Sequence, residues 1–516
     1  ERFGIDRNLW VQDVQNRVFS TLGQPNWLAA YLIPNMFLVA YSYYIKRHQG
    51  KNLPTFHLII FLTLFSALLF TKSRSGLLAF AISYLSYSVL MFRNFGFTKT
   101  KSPIFSISIL IILITASLGT PWTPSLNSII KQQFSNPSPV GPALETGGTE
   151  SGEIRKIVWS GAMELIRQYP FLGTGPETFA YTYYQVRPVA HNYVSEWYFL
   201  YNKAHNEYLN IAANSGIIGL LAYLSFHLMA FVLGISKNTK ITKKVQDDNH
   251  IYLNNFTPVI ASTIISFTIT NFFGFSVIPV YYLTILLVAL AQTLSKPKPA
   301  TPPTSITLLH YTILFFASIS LVFPLRLYYA DHLFAKGKKL ADSEQYSQAL
   351  PYLISATQIS PQFELYLTIL GESYAQLGAS DQAIETTSML LSKNSLHQNN
   401  LKSATKAYLT LAATDPSYYQ QAALILNNAV ILAPTDPKLA YNLGLVYTRL
   451  GELDRAISEF KRAIELRAIY PEPYYALTLI YEETKKTELI PPLLNSAKAN
   501  LSTYSAELRA KIEKYQ

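Results

Sequence analysis

The sequence predicts an all-α protein in two parts, a polytopic bundle of membrane helices followed by an extracytoplasmic α-solenoid. Three observations predict it. Eight uncharged apolar windows fall ahead of Pro324, and the loops between them alternate in positive charge. The C-terminal region repeats with a period of about 34 residues.

The apolar windows lie near 26–45, 54–70, 75–92, 103–119, 208–234, 256–275, 277–294 and 305–323. Each is rich in Leu, Ile, Phe, Ala and Tyr over about 17 to 22 residues, the length a helix needs to cross the hydrocarbon core. One such window fits a buried core helix. Eight, separated by short charged turns, fit a multi-pass membrane protein.

The formal charge of +11 invites a nucleic-acid role, so its distribution matters. Lys46, Arg47 and Lys51 follow the first segment, Arg93, Lys99 and Lys101 the third, Lys237, Lys240, Lys243 and Lys244 the fifth, and Lys296 and Lys298 the seventh. By the positive-inside rule these loops are cytoplasmic. Against them stand only Asp247 and Asp248, so topology accounts for nearly all the excess charge and no nucleic-acid partner is expected. The expected organisation is an outer segment 1–25, membrane helices 26–119, a large outer loop 120–207, membrane helices 208–323 and a repeat domain 330–516. The chain opens on Glu1, and the segment 1–25 holds no signal-like apolar run although it is placed outside; further helices upstream are expected. With no cysteine, neither a disulfide framework nor a thiolate metal site is available.

In the C-terminal region Gly337 recurs as Gly371, Ala349 as Ala383, Ala422 as Ala456 and Leu443 as Leu477. The stretch AYNLGLVYTRLGELDRAISEFKRAIEL, residues 440–466, resembles the tetratricopeptide pattern at Leu443, Gly444, Tyr447, Gly451, Ala456, Phe460 and Ala463. About five repeats, separated by an irregular insertion around 390–405, would stack as a short solenoid. From residue 330 onward 18 basic and 19 acidic residues nearly balance, so no charged groove names a partner. A docking or spacer module is the expectation.

Cations are scarce between helices on the outer side, which singles out Lys72 and Arg74 in TKSRSG. Arg74 reads either as an interfacial anchor or as a ligand for an anionic lipid headgroup, since a guanidinium grips phosphate oxygens bidentately. Within the outer loop, GEIRKIVWSGAMELIRQYPFLGTGPETF places Ile157, Val158, Met163, Leu165 and Ile166 among charges, an amphipathic helix expected along the membrane. Arg155 and Arg167 belong to it and face either solvent or ligand. GTGP lacks the Lys-Ser/Thr of a phosphate loop and reads as a turn. The Tyr- and Trp-rich run 181–201 suits a membrane-edge belt or a sugar-stacking surface. His191–Asn192 and His205–Asn206 are two His-Asn pairs, the second followed by Glu207 and Tyr208 at the outer mouth of the fifth segment. A histidine there is either structural or a base with water, sugar and headgroups in reach. Ala212, Ala213, Gly216 and Gly219 would let that helix pack tightly.

The combination of FSTLGQPNWLAAYL at 19–32, SRSGLL at 73–78, RKIVWSGAMELIRQYPFLGTGPETF at 155–179 and HNEYLNIAANSGIIGLL at 205–221 resembles the O-antigen ligase and polymerase superfamily, membrane glycosyltransferases of the GT-C class. The resemblance covers roughly 19 to 235, with eight visible helices where the family has about a dozen. It implies transfer of a glycan from an undecaprenyl-diphosphate carrier to a lipid, glycan or protein acceptor hydroxyl outside the bacterial cytoplasmic membrane. By this resemblance His205 is the general base, preferred over the competing His191–Asn192 pair for its place at the helix mouth, and Arg74 and Arg155 neutralise the leaving diphosphate; Lys72, Arg167, Asn206, Tyr208 and His191 are the expected substrate contacts. The reaction would invert configuration and use neither metal nor cofactor. Ligase, polymerase and protein O-oligosaccharyltransferase variants share this chemistry. A non-enzymatic anchor displaying the repeats is the rival from another class, in which Arg74, Arg155 and His205 are replaceable. A transporter is disfavoured because the membrane segments embed no Asp, Glu, Lys or Arg.

Overall fold

The computed structural model describes residues 1–2, 4–5, 14–48, 54–130, 149–235, 256–294 and 308–515. Lys51, the four lysines at 237–244, Asp247, Asp248, Lys296 and Lys298 therefore lie outside the described residues. Among the described residues all regular structure is helical. Packing divides the chain into two units: one of residues 1–179, 194–196 and 201–299, the other of residues 180–193, 197–200 and 300–516.

The first unit holds α1 (Pro25–His48), α2 (Pro54–Phe70), α3 (Arg74–Phe95), α4 (Phe97–Leu118), the short α5 (Leu126–Ile130) and α6 (Ser151–Gln168). After α7 (Phe179–Val186), which passes into the second unit, come α8 (Glu207–Ile235), α9 (Thr257–Phe272) and α10 (Ile278–Leu294). The second unit continues with α11 (Leu308–Asp342), so all eight expected apolar segments are helices. Five of them, α1, α3, α4, α8 and α11, are long and apolar enough to cross a membrane; α2, α9 and α10 are apolar but shorter. The protein is an integral membrane protein.

In the first unit α1 is central, packing on α2, α3 and α9, while α3 lies against α9. Phe37 stacks on Phe80 and Tyr87, and Ile33, Met36, Phe61 and Leu68 are buried around them. Gly76 permits the α1–α3 approach, because a Cβ there would sit 2.5 Å from Cβ of Ala29. Amphipathic α6 buries Ile154, Val158, Gly161, Ala162 and Leu165, a helical i, i+4, i+7, i+8, i+11 stripe, and packs on α8. Met163, expected on the apolar face, is exposed instead.

α8 departs from the expected unbroken helix. Gly216 has φ 65° and ψ −171°, a conformation reserved to glycine, and splits it. The break frees two carbonyls and two N–H groups, which membrane depth does not tolerate unpaired. The loop YPFLGTGP supplies all four partners. Thr174 N and Gly175 N donate to Ala213 O and Asn214 O at 2.9 Å each, while Ile217 N and Ile218 N donate to Pro170 O at 2.8 Å and Phe171 O at 3.4 Å. The turn read at GTGP is thus the patch that completes a broken helix, and Gly216 serves the break rather than close helix packing.

The second unit stacks antiparallel pairs: α11 with α12 (Tyr346–Ile359), α13 (Glu364–Gln376) with α14 (Ser380–Lys393), α15 (Gln398–Leu411) with α16 (Tyr418–Leu432), and α17 (Pro437–Arg449) with α18 (Leu453–Leu466). α19 (Pro471–Glu483), α20 (Ile490–Asn500) and α21 (Ala506–Lys514) close the array. Gly337 faces Leu353, Gly371 faces Thr387 and Gly444 faces Phe460, each pair at the same separation along the chain, the helix-turn-helix spacing of one repeat. The irregularity expected around 390–405 falls later. Residues 398–411 are regular helix, and the extra length sits mainly in the turn at 412–417, which is longer than the turns inside the other repeats. Helix α11 runs unbroken through Pro324, so the last apolar segment and the first repeat helix are one rod.

Candidate functional site

The N-terminal segment is pinned on the turn between α2 and α3. Val18 N donates to Phe70 O at 3.2 Å, the Arg17 Nε to Thr71 O at 3.2 Å, and Lys72 Nζ to Asn16 Oδ1. Ser73 caps α3 by accepting from Gly76 N at 3.1 Å, and its hydroxyl donates to Asn26 Oδ1 at 2.7 Å. Arg74 therefore opens α3 half-exposed, with Nη1 3.2 Å from Glu150 Oε1. Glu150 precedes α6, whose first turns carry Arg155.

The far end of the loop is tied to the same place. Thr149 N donates to Ser195 Oγ at 3.1 Å and Ser195 N to Thr149 Oγ1 at 3.0 Å, a reciprocal pair. Further along, Tyr201 donates its hydroxyl to Glu196 and sets its ring edge-on to His205, with centroids 5.7 Å apart. Phe275 closes the other side of the imidazole at 5.4 Å and itself meets Trp27 at 5.6 Å.

His205 and Arg155 line one pocket. Its walls combine the rings of Trp27 and Phe275 with the polar side chains of Gln24, Asn26, Ser75 and Asn271. His205 is half-buried, in a left-handed backbone conformation at φ 53° that non-glycine residues seldom adopt and that recurs at functional sites. Burial first, and the Arg155 charge second, push its imidazole from the usual 6.5 down to about 4. At neutral pH it is uncharged and able to accept a proton. Burial also lowers the Arg155 guanidinium, with Tyr201 and Glu196 partly offsetting this. Arg17 is lowered by burial and then by the charges of Arg155 and Arg74. Arg17 thus lies within electrostatic reach of both Arg155 and Arg74, and guanidiniums so placed suit an anionic ligand.

Arg17 was not among the residues singled out in the sequence. The other expected ligands fare differently. Lys72 is engaged with Asn16, and Asn206 caps α8 by accepting from Leu209 N at 3.1 Å. Tyr208 donates to Thr268 O at 2.9 Å. Arg167 is exposed and held by Glu164 at 2.8 Å; it stands about 18 Å along α6 from Arg155 at 1.5 Å per residue, so it does not join the guanidinium cluster. His191 packs in the second unit, buried against Tyr183, whose hydroxyl is 3.1 Å from Nδ1.

Residues 59–224 match the family described as O-antigen ligase. This stretch is an O-antigen ligase domain. Residues 437–470 match the tetratricopeptide repeat, so the chain joins that domain to tetratricopeptide repeats. The ligase match spans Arg74, Arg155 and His205 and stops short of Arg17. No curated protein matches the chain. Among solved structures, a thermophilic tetratricopeptide-repeat protein of Thermus thermophilus is 23% identical, with 36% of this chain and 98% of that one covered and a TM-score of 0.28. MamA of Desulfovibrio magneticus RS-1 is 18% identical over 36% and 97%, with a TM-score of 0.29. The Pseudomonas aeruginosa pilF protein is 16% identical over 37% and 90%, with a TM-score of 0.30.

Proposed function

We propose that the O-antigen ligase domain is a membrane glycosyltransferase that moves a glycan from an undecaprenyl-diphosphate donor to an acceptor hydroxyl on the outer side of the bacterial cytoplasmic membrane. The observation that carries this reading is the pocket shared by His205 and Arg155, with Arg17 in electrostatic reach of both Arg155 and Arg74. The neutral imidazole of His205 takes the proton of the acceptor hydroxyl as that oxygen bonds to the anomeric carbon. The bond from this carbon to the diphosphate oxygen breaks, and its electron pair leaves with the carrier. Attack opposite the leaving group inverts the anomeric centre. Arg155, Arg74 and Arg17 offset the charge that develops on the diphosphate, the work a metal ion does in other phosphate chemistry. Gln24, Asn26 and the rings of Trp27 and Phe275 offer hydrogen bonds and stacking faces to sugar.

The test is transfer by the purified protein in lipid nanodiscs with a lipid-linked donor. His205→Gln is expected to lower kcat by about 10²- to 10⁴-fold, the usual range for a general base, with donor binding retained. Undiminished transfer by that variant would remove His205 as the base, and no transfer by the parent protein would leave the anchor-and-scaffold alternative standing. Offering lipid, glycan and protein acceptors in parallel distinguishes ligase, polymerase and protein-glycosylating activities.

A further inference from the structure

The tetratricopeptide repeats already have a ligand, and it belongs to this chain. Residues 180–193 and 197–200, from α7 and the loop that follows it, pack as part of the repeat unit. Tyr184 is buried in the core formed by α15 to α21 and donates its hydroxyl to Phe199 O at 3.2 Å. Asn192 is 0% exposed and Arg187 3%. Their partners are backbone carbonyls of successive repeats, Thr435 in the connection between α16 and α17 and Leu466 at the C-terminal end of α18. Asn192 Nδ2 donates to Thr435 O at 2.9 Å and to Leu466 O at 3.0 Å, while Arg187 Nη2 donates to Thr435 O at 3.3 Å. In return the Thr435 hydroxyl donates to Arg187 O at 2.9 Å, Arg467 donates to Asn192 O, and Ala468 N donates to the Tyr193 hydroxyl at 3.1 Å. Arg467 lies 4.0 Å over the Trp197 ring, and Lys438 lies 5.0 Å over both Trp197 and Tyr198.

This is a built interface. Helix C-termini leave carbonyls without intrahelical partners, and the loop's buried amide and guanidinium supply the donors. The pair is deeply buried and bonded both to the loop and to the repeat backbone through Asn192 Nδ2 and the Arg187 Nη atoms, while the Arg187 Nε is left without a partner. The chain continues directly from the held residues into the site: Ser195 is half of the tie to Thr149, and Tyr201, next after Leu200, sets its ring against His205.

We propose that the repeats act as a positioning clamp on the ligase loop, recognising residues 187–193 and 197–200 through the end of α18 and the α16–α17 and α18–α19 connections, and that the chain running on from these residues thereby holds His205 in its working place. The proposal rests on the transferase reading above. Asn192, Thr435 and Arg467 are positioning residues, and this face of the solenoid is taken by the chain itself rather than open to an acceptor.

The test uses the full chain in nanodiscs with Thr435→Val, which keeps the side-chain shape and removes the donated hydrogen bond, Thr435→Ser, which restores it, and Asn192→Ala. Amide exchange over residues 187–193 is read without donor, and kcat, donor KM and donor binding are read with it. For Thr435→Val and Asn192→Ala the expected result is at least tenfold faster exchange over 187–193 and at least a fivefold lower kcat, with donor binding within twofold of the parent. Thr435→Ser stays within twofold of the parent in every measure. Exchange accelerated less than tenfold, a kcat loss under fivefold, donor binding lost together with kcat, or a serine variant as impaired as the valine would each overturn the clamp. Because exchange needs no turnover, it still reads the clamp if His205→Gln transfers normally, the result that overturns the functional reading instead.

Discussion

At the scale of single residues, the pocket's consequence is a base that stays neutral far into acid. With the imidazole at about 4, transfer is expected to be flat above roughly pH 5 and to fall about tenfold per unit below the pKa, as the proton-accepting form disappears. The sign for stability follows from the same shift. The folded pKa lies below the unfolded 6.5, so the unfolded chain binds more protons between 4 and 6.5, and this residue's contribution is complete above 6.5 and lost as pH falls toward 4. Arg155→Gln should move the acid limb of the pH–rate profile upward but short of 6.5, because burial is the larger cause and remains. A limb that does not move would place the Arg155 charge too far away to act on His205. The residues of this pair were legible through the motif that carries them. Arg17 was not, because no periodicity points to it; a backbone bond from Val18 to Phe70 delivers it from a segment with no apolar pattern. The scarcity of cations between outer-side helices that singled out Lys72 and Arg74 did not extend to the segment 1–25, where Arg17 is one of three arginines with Arg2 and Arg7.

At the scale of elements, hydropathy found the eight apolar helices because it reads composition, and for the same reason it passed over the break in α8. Gly216 sits in a run as apolar as its neighbours, and only the backbone shows that helix geometry stops there. A Cβ at this position would lie 2.1 Å from Phe171 O, and φ 65° with ψ −171° excludes other residues. Gly216→Ala is therefore expected to cost at least about 1–3 kcal/mol from backbone strain alone. It also displaces the loop that supplies the four exchanged hydrogen bonds. Its melting temperature in detergent should fall clearly below that of the parent. Gly152→Ala, in open space in the first turn of α6, should be neutral or slightly stabilising. Equal melting of Gly216→Ala and the parent would mean that the two halves of α8 do not depend on the loop. The exposed Met163 makes a related point about α6: apolar residue type proposed its face, but the i, i+4, i+7 stripe from Ile154 decides it.

At the scale of the whole molecule, the repeats were legible because small residues recur where paired helices touch, as Gly337, Gly371 and Gly444 do against Leu353, Thr387 and Phe460 on the second helix of each pair. That residues 180–193 and 197–200 fold with them was not legible, since their polar anchors, Asn192 and Arg187, bond to backbone and leave no pattern in side-chain type, and their aromatic anchors, Tyr184, Tyr193 and Trp197, lie in a run that suited a membrane-edge belt or a sugar-stacking surface. The charge distribution supports a definite sidedness that labelling tests directly. Seven of the twelve loop cations assigned to the cytoplasm lie outside the described residues, so the test uses one that is described, Lys99 at the start of α4, and the exposed Ser392 near the end of α14. The chain has no cysteine, so Lys99→Cys and Ser392→Cys each report one position without background. In intact spheroplasts a membrane-impermeant maleimide is expected to label Ser392→Cys at once and Lys99→Cys only after permeabilisation. Both cysteines reacting on the same side would break the alternation on which an outward-facing His205 depends, because Lys99 and the repeats are then separated by an even number of crossings rather than an odd one. The reverse pattern would put the solenoid in the cytoplasm and the guanidinium cluster on the side where lipid-linked sugars are assembled rather than transferred, and the direction of the proposed reaction would have to be redrawn.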